Sequence, residues 1–162
     1  MKTRLGFVSN SSSSSFIIIG HGEYEKGLSD LVPRNEILVV SSQGETEFGW
    51  TSCKYRGVFT RINFAYLQTQ YVNESTRAKW LDMLETAIRE EFKCTEVVWL
   101  INTEYNCDEN IASEHGKYVW GYIDHQSAAS EGQNTEMFEN MDTLKRFLFC
   151  EDSYVQGGND NE

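Results

Sequence analysis

The chain has 162 residues, and its 25 acidic against 14 basic side chains give a formal net charge of −11. This length is typical of one domain with a sizeable core, and a hydrophobic content of 40% is too high for a disordered chain. We therefore expect a single folded domain over residues 1–162. Because so negative a surface repels phosphate groups, direct nucleic-acid binding is disfavoured.

The sequence contains no recognisable targeting or membrane segment. A basic start with Lys2 and Arg4 is followed by the apolar run 16–19, which is too short for the core of a signal peptide. No stretch approaches the length of a membrane span. The cysteines form no C-x-x-C pair, so we predict free thiols in or near the core: Cys53, Cys94, Cys107 and Cys150. These features favour a cytoplasmic protein without membrane contact.

Apolar and β-branched runs predict the strands, in chain order, at residues 16–19, 36–41, 46–51, 96–101, 117–123 and 153–156. The run 96–101 is apolar on both faces, which is typical of a central strand that is covered on both sides. The run 46–51 alternates only weakly between apolar and polar residues. We expect a mixed β-sheet of about five strands.

Helical spacing of apolar residues predicts helices at 58–72, 75–93 and 142–149. The β-branched and aromatic residues of 58–72 also leave a strand open as the alternative for that segment. The segment 75–93 has the clearest apolar face, and Asn73 or Ser75 can cap its start. Small and polar residues predict a mobile loop at 128–140 and a polar tail at 157–162. The expected fold class is α+β, with two main helices packed on the sheet.

A serine tract at residues 9–15 runs directly into the first predicted strand. Three interpretations are open: a flexible Ser-rich leader over 1–15, an ordered hydroxyl-rich turn, or a modified or anion-binding segment. The tract lacks the Gly-x-x-x-x-Gly-Lys spacing of a phosphate-binding loop. The candidate binding residues are Ser11, Ser12, Ser13, Ser14 and Ser15.

The segment Asp124-His125-Gln126-Ser127 follows a predicted strand and holds a carboxylate, an imidazole and a hydroxyl. These groups are the parts of a hydrolytic site, so Asp124, His125 and Ser127 are the candidate catalytic residues. Adjacent strand residues point to opposite faces, however, so Asp124 would orient His125 only through an irregular turn. A structural loop histidine is the competing interpretation.

A zinc site could be assembled from four residues of suitable ligand type, Cys94, Cys107, His115 and His125. Structural zinc ligands usually occur as closely spaced pairs, and these four do not. We therefore expect no metal and no cofactor. His21, which stands between two glycines, is expected to be a turn residue.

The opening GFVSNSSSSSF, from Gly6 to Phe16, resembles the start of a group of uncharacterised bacteriophage and prophage-associated bacterial proteins. The ending, from Phe147-Leu148-Phe149-Cys150 to Gly158-Asn159-Asp160, is also similar to the ends of some of them, which suggests a complete member. The resemblance implies a phage origin and a location in the host cytoplasm. It implies no activity or catalytic residue.

The sequence is therefore compatible with three candidate functions. The first is a phage-encoded accessory protein that binds a host or phage protein. The second is a small hydrolase or transferase that uses His125. The third is an acidic mimic of nucleic acid that inhibits a DNA-binding protein, although the acidic residues are dispersed rather than arranged in one stripe.

Overall fold

The computed structural model describes residues 13–33, 35–49, 51–102 and 114–159. The strands are β1 (Ser13–Ile18), β2 (Ile37–Val40), β3 (Glu47–Phe48), β4 (Cys53–Tyr55), β5 (Glu96–Trp99), β6 (Ile101–Asn102), β7 (Val119–Trp120), β8 (Tyr122–Ile123) and β9 (Tyr154–Asn159). The helices are α1 (Val58–Thr69), α2 (Glu74–Phe92) and α3 (Met141–Phe149). The predicted α+β class is confirmed. None of the helices in these ranges is long and apolar enough to span a membrane.

The strands divide into small sheets rather than one mixed sheet. β1, β9 and β4 form an antiparallel sheet in the order β1-β9-β4, in which β1 has only one neighbour. β2 pairs with β5, β6 with β7 and β3 with β8, all in parallel. These parallel pairs lie end to end, because only Leu100 separates β5 from β6 and only Gly121 separates β7 from β8.

Helix α1 forms the centre of the fold, because eleven of its twelve residues are buried. Phe64 and Leu67 are fully buried within the core, and Phe64 packs edge-on against Phe48 of β3 and Phe147 of α3. A helix that is buried all round has no solvent-facing side for its polar residues. Its buried polar side chains therefore need hydrogen-bond partners inside the protein.

Helix α2 is amphipathic, as the sequence predicts. The side chain of Asn73 accepts a hydrogen bond from the backbone N–H of Thr76, which makes Asn73 the N-cap. Leu84 and Ile88 are fully buried on the inner face. The helix ends at Phe92, and the residue that caps it, Lys93, has a φ of 59° in the left-handed region.

The segment 128–140 differs from the predicted mobile loop of small and polar residues. It forms two short 3-10 turns and buries Ala128, Asn134, Met137 and Phe138. The ring of Phe138 stacks on Trp80 of α2, with 4.3 Å between the ring centroids. The sequence does not predict this burial, because the apolar residues of the segment are isolated and recur with neither helical nor strand spacing.

Both predicted terminal segments also enter a strand. The Ser-rich leader predicted over 1–15 overlaps β1, which begins at Ser13, and the polar tail predicted over 157–162 overlaps β9, which ends at Asn159. The two strands pair with each other, from Ser13 opposite Asn159 to Ile18 opposite Tyr154. Backbone pairing therefore orders residues whose composition suggests loops.

Arg61 is the largest fully buried side chain in the described ranges and connects α1 to the end of α3. Its Nη1 donates to the backbone carbonyls of Cys150 and, at 3.4 Å, Phe147. Its Nη2 lies 3.3 Å from Glu25 Oε1, an ion-pair distance without hydrogen-bond geometry. Burial lowers the pKa of Arg61, and the carboxylate of Glu25 opposes that change. The guanidinium thus neutralises the carbonyl end of α3.

We predict that Arg61→Met lowers the free energy of unfolding by about 3 kcal/mol, because the buried carbonyls of α3 lose their donor. The solvent-exposed Arg56 provides a control, and Arg56→Met should cost less than about 1 kcal/mol. Urea denaturation followed by circular dichroism measures both variants. Equal stability of Arg61→Met and the wild type would contradict the assigned role of Arg61.

Candidate functional site

The segment 124–127 forms a turn immediately after β8, as expected from its position in the sequence. The N–H of Asp124 donates to the carbonyl of Phe48 in β3 at 2.9 Å, so the turn begins at a fixed point of the parallel pair. Asp124 is 3% exposed and Ser127 is 1% exposed. Both candidate catalytic groups are therefore removed from solvent.

Asp124 and Ser127 are brought together by the turn itself. The N–H of Ser127 donates to the carbonyl of Asp124 at 2.9 Å, and the Ser127 hydroxyl donates to Asp124 Oδ2 at 2.6 Å. The other carboxylate oxygen, Oδ1, accepts from the backbone N–H of Gln126 at 3.0 Å. The carboxylate is thus occupied by its own turn.

His125 is not part of this arrangement. Its side chain is exposed, and no hydrogen bond within the described ranges joins it to Asp124 or Ser127. The Ser127 hydroxyl donates to a carboxylate and has no imidazole base next to it. A nucleophile–base–carboxylate relay requires the imidazole between the other two groups, and this turn does not provide it.

The Ser127 hydroxyl instead holds the serine tract. Its oxygen accepts from the backbone N–H of Ser15 in β1 at 2.5 Å, while its proton goes to Asp124. Asn134 acts on the same strand: its Oδ1 accepts from Ile17 N–H at 3.1 Å and its Nδ2 donates to Ser15 carbonyl at 2.9 Å. These side chains satisfy the edge of β1 that faces away from β9.

Two buried amide side chains complete this cluster, which we call the β1 latch: Asp124, Ser127, Asn134 and Gln68. Nδ2 of Asn134 and Nε2 of Gln68 both donate to the carbonyl of Ser127 at 2.9 Å. Oε1 of Gln68 accepts from Ala129 N–H at 2.7 Å. The latch thereby joins α1, the segment 124–134 and β1 through hydrogen bonds between side chains that are buried from solvent.

Three of the five candidate serine residues belong to β1, and the other two precede the described residues. Ser11 and Ser12 lie outside the described residues, whereas Ser13, Ser14 and Ser15 belong to β1. Ser15 is 4% exposed and its Oγ has no hydrogen-bond partner. A buried hydroxyl of this kind is not accessible to an anion or a modifying enzyme, so a binding role for the tract would fall on the residues before Ser15.

Three of the four candidate zinc ligands, Cys94, His115 and His125, belong to the described residues. Cys107 lies outside the described residues, and no group of three or more potential ligands lies close enough to hold a metal within the described ranges. Cys94 and Cys150 are buried free thiols, and Cys53 is half-buried. Burial raises the pKa of the thiols of Cys94 and Cys150, which keeps them protonated.

His21 lies in the irregular segment after β1, beside a bend at Gly22, and this segment is organised around Asp152. The Asp152 carboxylate accepts backbone hydrogen bonds from His21 and Gly22. Desolvation raises the pKa of Asp152, but the backbone hydrogen bonds of Gly22, Asp152 itself and His21 together outweigh it, so the pKa is lowered. A Cβ atom at Gly20 would lie 2.0 Å from Asp152 Oδ1, so a larger residue there would displace the Asp152 carboxylate. Nδ1 of His21 lies 2.9 Å from Nη1 of Arg146 and therefore acts as an acceptor.

Two features of the structure are not predicted from the sequence: the two amide side chains of the β1 latch, and a cavity at the surface. Asn134 and Gln68 give no motif, because Asn134 bonds to Ser15, 119 positions away, and Gln68 bonds to Ser127, 59 positions away. A cavity of about 570 Å³ is bordered by five residues from separate segments: Ser29, Asp30, Asn35, Lys93 and Cys94. No local pattern could have grouped these residues.

The chain was compared with protein-family models, curated protein sequences and solved structures, and none of them matches it. The class of protein is therefore defined by the structure alone, as an α+β domain with the β1 latch in its interior.

We predict that Ser127→Ala lowers the free energy of unfolding by about 2 kcal/mol, because it leaves the buried Asp124 carboxylate and the Ser15 N–H without their partner. His125→Ala should change it by less than about 0.5 kcal/mol, since the side chain is exposed. Chemical denaturation of both variants measures the difference. A large effect of His125→Ala with none of Ser127→Ala would refute the latch.

Proposed function

We propose that the protein is a phage-encoded accessory protein that acts by binding a host or phage protein with a basic surface. The resemblance of its opening to phage proteins supports the origin. An exposed tryptophan on a well-anchored strand supports the binding, and this observation carries the proposal. This residue is Trp120 of β7.

Trp120 differs from the other tryptophans that the structure describes. Trp80 stacks on Phe138, and Trp99 stacks on Tyr66 while its indole N–H donates to Glu85 at 2.9 Å. Trp120 is 52% exposed. Tryptophan is strongly enriched among the residues that dominate binding energy, so an exposed tryptophan is a candidate anchor for a partner.

The backbone around Trp120 is held on both sides. Trp120 pairs with Asn102 of β6, and its carbonyl accepts from the hydroxyl of Thr46 at 2.8 Å. The next residue, Gly121, packs so closely that a Cβ atom would lie 2.3 Å from Ile101 Cγ2 and 2.8 Å from Leu67 Cδ2. Since successive strand residues point to opposite faces, the strand presents Trp120 away from α1. Such pre-organisation lowers the entropic cost of binding.

The charge of the protein indicates what kind of partner would associate with it. A net charge of −11 attracts a basic surface and repels an acidic one. The proposed partner therefore combines an apolar pocket for Trp120 with basic residues around it. Binding should weaken as the salt concentration rises, because salt screens the charges.

The other two functions receive less support from the geometry. A hydrolase or transferase built on His125 would use Asp124, Ser127 or a distant carboxylate as its partner, and both Asp124 and Ser127 are committed to the β1 latch. A nucleic-acid mimic needs rows of free carboxylates. Four acidic residues of the described ranges instead form ion pairs with basic residues: Glu25, Glu85, Glu90 and Asp142.

The test uses the purified protein as bait in a bacterial host lysate, followed by titration of the captured protein against purified variants. We predict that Trp120→Ser weakens the measured affinity at least about 10-fold, because it removes the aromatic anchor. Leu31→Ser makes a similar change at another exposed apolar side chain, which is 59% exposed, and should leave the affinity unchanged. Circular dichroism verifies that both variants are folded.

Two results would count against the proposal. One is that the bait retains no protein at low salt, where the electrostatic attraction is strongest. The other is that Trp120→Ser and Leu31→Ser bind the captured protein as tightly as the wild type does.

A further inference from the structure

A second feature of the surface is the cavity of about 570 Å³ introduced above. It lies where three segments meet: the 3-10 turn Leu28–Leu31, the residues that lead into β2, and the end of α2. Its volume is within the range of about 300–1,000 Å³ that is usual for small-molecule sites. The cavity does not involve the β1 latch or Trp120.

The cavity is bordered by two opposite charges that are not paired. Asp30 and Lys93 both line it, yet neither forms an ion pair with any residue in the ranges that the structure describes. Glu90, one turn before Lys93 on α2, is already hydrogen-bonded to Lys145. An anion and a cation at one cavity are complementary to a ligand that carries both signs of charge.

The backbone at the cavity adopts costly conformations. Asn35 and Lys93, with φ of 63° and 59°, are two of the three non-glycine residues with positive φ in the described ranges. The N–H of Asn35 donates to the carbonyl of Lys93 at 3.5 Å, so the two residues support each other. Glycine is the usual residue where a helix ends in this conformation, and lysine there costs roughly 1 kcal/mol or more. A role of the Lys93 side chain at the cavity would explain why a residue with this backbone cost stands there.

The thiol of Cys94 limits the chemistry of the cavity. Cys94 is 8% exposed, and desolvation raises the pKa of its thiol. A protonated thiol is a poor nucleophile. The cavity is therefore suited to reversible binding rather than to covalent catalysis.

We propose that this cavity binds a small zwitterion of the α-amino acid type. The carboxylate of Asp30 would accept the ligand's ammonium group, and the ammonium of Lys93 would bind its carboxylate. Asn35 and Ser29 supply neutral hydrogen-bonding groups at the same cavity.

The experiment titrates ¹⁵N-labelled protein with L-leucine, with N-acetyl-L-leucine, which lacks the ammonium, and with 3-methylbutylamine, which lacks the carboxylate. We expect L-leucine to shift the amide signals of Asp30 and Asn35 in a saturable manner. The two analogues should bind at least about 10-fold more weakly, because each loses one charged contact. Shifts at the β1 latch are not expected.

Matched variants identify the charges responsible. Lys93→Gln and Asp30→Asn should each weaken binding of L-leucine about 10-fold or more. Lys79→Gln and Asp82→Asn make the same charge changes at exposed positions of α2 and should have no effect. Lys93→Gly separates a loss of binding from a loss of stability. It removes the ammonium group and should abolish the saturable shifts, but glycine adopts the positive φ easily, so the melting temperature should stay the same or rise.

Three results would overturn the proposal. The first is that L-leucine at about 20 mM, which would detect even weak millimolar binding, causes no saturable shift. The others are that L-leucine and both analogues bind equally well, or that Lys93→Gln and Asp30→Asn bind L-leucine as tightly as the wild type. Because Trp120 lies outside this cavity, loss of the protein-binding function in Trp120→Ser would leave these outcomes unaffected.

Discussion

The side-chain amide of Asn134 closes the outer edge of β1 and thereby joins the start of the described chain to its core. It pairs with Ser15 and Ile17 as a neighbouring strand would, while Ser127 accepts the N–H of Ser15. β1 is an edge strand, and open edges invite pairing with other chains. The latch removes that edge, and it explains why a carboxylate, a hydroxyl and two amides are buried together.

The same principle governs the rest of the interior. Helix α1 is buried on all sides, so each polar side chain on it has to find a partner within the fold. Gln68 bonds to the latch, and Arg61 bonds to the carbonyl end of α3. Polar contacts from one helix therefore position both the antiparallel sheet and the last helix. The features that remain available for binding, Trp120 and the Asp30–Lys93 cavity, lie outside these contacts.

The elements with a strong hydrophobic period are predictable from the sequence. The helices at 58–72 and 75–93 correspond to α1 and α2, and the strand at 36–41 contains β2. β4 and the packed segment 128–140 are missed, because short or isolated core residues have no period to detect. The sequence places residues 124–127 directly after a strand, where the structure has a turn, and the side-chain partners of Asp124 lie within that turn. Ser127 also bonds to Ser15 and Gln68, which are distant in the sequence. Hydrogen bonds across more than 100 residues leave no local pattern.

The most direct test of the β1 latch is hydrogen exchange of the Ile17 amide in the wild type and in Asn134→Gly. Asn134 has a φ of 57°, which glycine adopts easily, so the variant removes the side-chain amide while the backbone is retained. The amide of Leu84, in the buried face of α2, reports global unfolding. The latch predicts that exchange at Ile17 accelerates at least about 10-fold more than exchange at Leu84. Equal acceleration at both amides, or none at Ile17, would contradict it.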